Sequence, residues 1–229
     1  LLQYWVSQER ESPVLFCQRE AVETAIFLAE VSGRKGEANF KAELEEINLQ
    51  YNSELPRIAL KMATGSGKTV VMAMLIAWQT INKVRAPHDK RFAKKFLVVT
   101  PGITIRDRLR VLKPTDDGNY FKERDLVPSD LWEDLLQAQV SITNYHAFMP
   151  KVTKEGQGIS KQTKSVLLGN RKVGAVDPFV ETESQVVTRV LADFGASKDP
   201  IVVFNDEAHH CYVSKIIDEK LDKEDEVRN

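Results

Sequence analysis

The segment "LKMATGSGKTVVMAML", beginning at Leu60, constrains the fold more than any other part of the chain. A short apolar run, two closely spaced glycines, a lysine, a hydroxyl and a longer apolar run read as strand, tight turn and helix. Gly65 and Gly67 allow backbone conformations and a close approach that a side chain would block. The N–H groups of such a turn, together with the positive N-terminal end of the following helix, favour an anion. Lys68 is then placed to reach the β- and γ-phosphates of a nucleoside triphosphate, and the Thr69 hydroxyl to bind Mg²⁺. The nucleotide-binding residues expected here are Thr64, Gly65, Ser66, Gly67, Lys68 and Thr69. The pattern G-x-x-x-x-G-K-[ST] is not met in full, because Met62 stands at its first glycine.

A triphosphate-cleaving site also needs an acid at the end of a neighbouring strand, and "IVVFNDEAHH" supplies one. Asp206 is expected to hold Mg²⁺ with Thr69, and Glu207 to orient and deprotonate the attacking water. Lys68, Asp206 and Glu207 are therefore the catalytic candidates. A zinc reading of His209, His210 and Cys211 fails, because three adjacent residues rarely converge on one ion and no partner lies at ligand spacing.

Between these motifs the chain alternates strand and helix patterns. "RIALKMA", "KKFLVVT", "QVSITNY" and "PIVVFN" read as strands, and Val70 to Ile81 as a helix buried on every side. "SPVLFCQREAVETAIFLAEVSG" reads as a helix capped by Ser12, with Pro13 in its first turn and Gly33 as its stop. Phe16, Val22, Ile26 and Ala29 mark its apolar face. "KAELEEINLQ" suggests a helical insertion, Thr115 to Asp130 a loop, "DLWEDLLQA" a helix capped by Asp130, and "ETESQVVTRVLADF" another helix. Residues 151–174 read as a long flexible insertion. The alternation implies an α/β domain with a mainly parallel sheet covered by helices on both faces. In such sheets ligands bind beyond the carboxyl ends of the strands, where the polar motifs fall.

Composition adds exclusions. The net charge of −1 gives no global attraction for nucleic acid, so that binding needs a local patch. Two basic stretches qualify, Lys83 to Lys95 and Lys151 to Lys172. No apolar run is long enough to cross a membrane. Two cysteines, Cys17 and Cys211, give no disulfide framework, so a reducing cytoplasm is expected.

"MATGSGKT" and "DEAH" together resemble motifs I and II of superfamily 2 DEAD/DEAH-box helicases. "PRIALKMATGSGKTVVMAMLIAW", "PGITIRDRL", "ITNYHAF" and "NDEAHHCY" are most similar to the ATPase (Res) subunit of type III restriction enzymes. The likeness runs from Gln18 to Tyr212. It implies the amino-terminal RecA-like P-loop domain of a two-domain, ATP- and Mg²⁺-using DNA helicase or translocase. Residues 1–55 would then be a helical region carrying an insertion and the adenine-recognising glutamine, Gln18. Residues 56–229 would be the ATP-binding domain with motifs I, Ia and II. The resemblance assigns Thr100, Gly102 and Arg106 to motif Ia and its grip on the nucleic-acid backbone. Thr143 and Asn144, with Tyr145 and His146, fall in a further strand-contacting segment, and His209 would couple the ATP site to the other domain. The implied partners are DNA, double-stranded in a type III-like system, and a methyltransferase subunit. A second RecA-like domain with its arginine finger, and a nuclease domain, are expected in a longer parent chain, so this segment alone should be weakly active. Two rivals stand beside this reading: a P-loop ATPase acting on a non-nucleic-acid partner, and a stand-alone ATP-binding or assembly domain.

Overall fold

The computed structural model describes residues 1–7, 9–10, 12–51, 57–153, 179–196 and 199–208. The chain forms two compact units: Leu1–Phe96, Arg108–Val140 and Asp199–Val202 in the first, and Leu97–Asp107, Ser141–Lys198 and Val203–Asn229 in the second.

In the first unit the central element is α4 (Lys68–Arg85). Val71 and every residue from Ala73 to Ile81 are buried, as an all-round apolar pattern requires. Lys83 and Arg85 lie in its last turn, where cations complement the helix dipole. Helices α2 (Phe16–Glu30), α6 (Tyr120–Glu123) and α7 (Trp132–Leu135) pack on α4. Two polar contacts fix its register: Trp78 Nε1 donates to Glu30 at 2.8 Å, and Gln79 Oε1 accepts the Ala93 N–H at 2.8 Å. Met74, Ile76, Leu112, Phe121, Leu126 and Leu135 are fully buried in this unit. Each contributes about 1.5–3 kcal/mol by leaving water. The short α1 (Leu2–Trp5) is held by buried Trp5, whose Nε1 donates to the Leu126 carbonyl at 2.8 Å.

Three strands, β1 (Lys95–Thr100), β2 (Gln139–Asn144) and β3 (Ile201–Asn205), form a parallel sheet in the order β2-β1-β3. The central β1 is buried along its whole length. Among the described residues β3 lies at the edge of the sheet, and its Val203 is 55% exposed.

In the second unit α5 (Ile103–Arg108) follows β1, and α8 (Glu183–Val190) packs on the 3₁₀ turn Tyr145–Phe148 that ends β2. Thr182 caps α8, accepting the Gln185 N–H at 3.4 Å while the Gln185 side chain accepts the Thr182 N–H at 2.8 Å.

Several elements differ from the sequence expectation. "RIALKMA" is not a strand: residues 57–63 are irregular, and Ile58 is exposed. Asn48 takes both backbone groups of Arg57, accepting its N–H and donating to its carbonyl, so these are committed to α3 (Phe40–Tyr51) rather than to a ladder. Helix α2 starts at Phe16, not at Ser12, because Gln18 Oε1 takes the Leu15 N–H and closes the first turn from inside. Phe16 is accordingly exposed instead of facing the core. Asp130 lies inside a 3₁₀ turn, Ser129–Leu131, rather than capping a helix. Within the expected loop 115–130, Asn119 accepts the Lys122 N–H and starts α6. The expected insertion at 151–174 lies almost wholly outside the described residues.

Candidate functional site

The phosphate-binding candidate is built from one turn and one helix end. Gly65 and Gly67 have φ of +80° and +84°, the left-handed region that a side chain disfavours. The Ser66 hydroxyl donates to the Ala63 carbonyl at 2.7 Å and closes the turn. Gly67 is the N-cap of α4, and its carbonyl accepts the first helical N–H, that of Val70, at 2.9 Å. Lys68 and Thr69 therefore occupy the first turn of an 18-residue helix and are half-exposed. Thr64 and Gly65 are exposed at the tip. Two left-handed glycines at the positive end of a long, firmly packed helix make a cradle of backbone donors.

Gln18 lies directly beneath this cradle and is only 6% exposed. Its Nε2 donates to the Ser66 carbonyl at 3.0 Å, and its Oε1 accepts the Leu15 N–H at 3.1 Å. A β-carbon on Gly67 would come within 2.2 Å of that Nε2. The amide is thus a strut joining α2 to the turn, a role that sequence reasoning did not assign to it. Cys17 is exposed beside it, its thiol 3.9 Å from the same Ser66 carbonyl.

The acidic pair belongs to the other unit. The Asp206 N–H donates to the Val99 carbonyl at 2.9 Å, continuing the β3–β1 pairing one residue past the strand. Both acids are half-exposed, and Glu207 has φ of +54°, an uncommon conformation for a residue with a side chain. Such a conformation costs on the order of 1–3 kcal/mol and is concentrated at functional sites. His209 lies outside the described residues.

The nucleic-acid candidates divide. Thr100 is fully buried, and its hydroxyl donates to the Gly102 carbonyl at 2.9 Å. Its hydroxyl is engaged within the turn that follows β1. Gly102 has open space around it, and Arg106 is exposed with Asp107 at 3.6 Å. Thr143 and Asn144 end β2, where Asn144 accepts the Ala147 N–H at 3.1 Å. Tyr145 stacks against His146 with ring centroids 3.9 Å apart, and His146 is exposed.

Sequence reasoning missed the residue that ties this turn down. Arg189 of α8 donates to the Ala147 and Met149 carbonyls at 2.9 and 3.2 Å and pairs with Glu181 at 2.7 Å. Its guanidinium holds the Glu181 carboxyl down at about 2, and the Lys151 N–H acts in the same direction.

The basic stretch 83–95 is largely spent on its neighbours. Lys83 donates to the Pro87 and Asp89 carbonyls, Arg85 pairs with Asp134, Arg91 with Asp89 and Lys95 with Asp199. Of the stretch 151–172, only residues 151–153 are described.

The chemistry of the donors fits Mg–ATP. Thr69 in the first unit and Asp206 in the second each carry a hard oxygen of the kind Mg²⁺ takes alongside phosphates and waters. Among the described residues no cluster of three His, Cys, Asp or Glu could hold a metal by itself. No helix among the described residues is long and apolar enough to cross a membrane.

Comparison with curated proteins and with solved structures found no match. The family model for the type III restriction enzyme res subunit matches residues 16–225, a span that holds the phosphate turn, the segments after β1 and β2, and the acidic pair. The chain belongs to the type III restriction enzyme res-subunit family, whose RecA-like domain is that of ATP-dependent, helicase-like motors.

Proposed function

We propose that the chain is the first motor domain of a DNA-dependent ATPase, the translocating subunit of a type III-like restriction system. The observation that carries this reading is the paired left-handed glycines at the N-terminus of α4, braced by Gln18, within a chain of this family.

In this reading the turn 64–67 holds the triphosphate through backbone N–H groups, and Lys68 neutralises its terminal charge. Thr69 and Asp206 would hold Mg²⁺, which would offset the negative charge of the phosphates. Glu207 orients a water and accepts its proton as the water attacks the γ-phosphorus, and the bond from that phosphorus to the β–γ bridging oxygen breaks to release ADP and phosphate. Each end of the Gln18 amide keeps one hydrogen-bonding capacity beyond the contacts it makes, which suits the N6/N7 edge of adenine. His209 links nucleotide state to a second RecA-like domain, which supplies an arginine finger worth on the order of 10³–10⁵ in rate. Gly102, Arg106, Thr143 and His146 track the DNA backbone, while Thr100, Asn144 and Arg189 hold their turns in shape. A methyltransferase subunit is the partner that this assignment implies.

The spent cations of 83–95 favour a second reading, a P-loop ATPase acting on a non-nucleic-acid partner. Phosphate release by a protein carrying this domain together with its second RecA-like domain, with and without double-stranded DNA, separates the two. The proposal expects stimulation by DNA and its loss in Glu207→Gln with ATP still bound. Robust turnover indifferent to DNA would favour the rival.

A further inference from the structure

Helix α3 presents an unusual surface. It has no buried residue, although Phe40, Leu44 and Ile47 recur at helical spacing along one side. Phe40 and Ile47 are 49% and 53% exposed. The helix meets α2 at its first residue, where the Phe27 and Phe40 rings lie 6.3 Å apart. Beyond that contact the two helices enclose an open groove of about 550 Å³, floored by Phe27, Leu28, Phe40, Leu44 and Ile47. A 12-residue helix is marginal without packing on its apolar side, so an uncovered stripe of this kind points to an occupant.

The charges of the groove identify that occupant. Glu23 and Glu43 stand on its two walls, and no lysine or arginine lines it. Glu20, Glu45 and Glu46 lie close by, against Arg19, which pairs with Glu23 at 3.2 Å, and Lys41, which pairs with Glu45 at 3.9 Å, so the surroundings stay net acidic. This rim repels phosphate, which argues against nucleic acid and anionic lipid. A two-fold contact between copies of this face would set glutamates against glutamates, which argues against self-association. Thr24 is the only uncharged polar residue of the lining, too little to orient a small polar ligand. We propose that the α2–α3 groove docks a helix of a partner protein, one with an apolar stripe flanked by lysine or arginine. None of its lining residues belongs to the nucleotide or nucleic-acid candidates, so this assignment stands apart from the proposed motor function.

The test uses a labelled peptide of roughly four helical turns, with leucines along one face and lysines on both flanks. A second peptide replaces every lysine with glutamate. Fluorescence anisotropy against the 229-residue chain should show binding of the lysine peptide, and much weaker binding of the glutamate peptide. Ile47→Asp should weaken binding by about tenfold or more, the affinity equivalent of one buried aliphatic side chain. Leu49→Asp, on exposed Leu49 outside the groove, should leave it unchanged. Glu23→Lys combined with Glu43→Lys should reverse the peptide preference, and Glu43→Gln tests the charge alone should a stronger change unfold α3. Equal affinity for both peptides, or equal sensitivity to Ile47→Asp and Leu49→Asp, would overturn the proposal. So would sedimentation showing a dimer that Ile47→Asp dissolves, since the occupant would then be a second copy.

Discussion

Gly67→Ala tests how the phosphate turn is held. Gly67 has φ of +84° and ψ of +42°, a left-handed conformation that costs an L-residue about 1–2 kcal/mol. The new methyl would also lie 2.2 Å from Gln18 Nε2 and 3.3 Å from its Cδ, so the amide must move. Moving it breaks the bonds to the Ser66 carbonyl and the Leu15 N–H, each worth about 0.5–1.5 kcal/mol. Together these give a loss of about 2–5 kcal/mol. Gly65→Ala is the control: its φ is +80°, but no atom lies within 4 Å of the added methyl, so only the conformational part of about 1–2 kcal/mol applies. Urea denaturation of Gly67→Ala, Gln18→Ala and the double variant closes a thermodynamic cycle. In the Gln18→Ala background Gly67→Ala should cost only the conformational part, about 1–2 kcal/mol. An equal cost in both backgrounds would refute the strut, and a cost for Gly67→Ala no larger than that for Gly65→Ala would refute the clash.

Two further outcomes follow from local geometry. The Glu181 carboxyl is held at about 2 against an ordinary 4.5, so its pairing with Arg189 stabilises fully above pH 4.5 and is lost as the pH falls toward 2. Melting temperature followed across that window should decline less in Arg189→Met than in the wild type, and parallel declines would remove the ion pair from the account. Glu207→Gly releases a left-handed side-chain conformation and should stabilise the chain by up to about 1 kcal/mol, after allowing for glycine's greater unfolded freedom, while abolishing ATP turnover in the two-domain protein. Destabilisation with full turnover would mean that the strain serves nothing in the reaction.

The left-handed glycine turn and α4 were legible because their signals are local. Two glycines, a lysine and a hydroxyl ahead of an all-apolar helix need no distant partner to be recognised. β1 was legible for the same reason, as a continuous apolar run between turns. "RIALKMA" carries an equally strong apolar signal, yet a strand exists only where a neighbour accepts its ladder, and Asn48 claims Arg57 instead. Gln18 was marked by its position ahead of the turn, but not as a strut, because its partner Ser66 is 48 residues away. Arg189 carried no signal at all. Its carbonyl partners are 42 and 40 residues away and would accept from any donor, so only the folded chain shows it fastening the turn after β2.

Calorimetric titration of the chain with Mg–ATP, wild type against Lys68→Ala, asks whether the turn before α4 holds a triphosphate. The wild type should bind at one site and the variant should lose most of that affinity, with its fold unchanged by circular dichroism. Equal affinity in the two proteins would contradict this and place any nucleotide elsewhere.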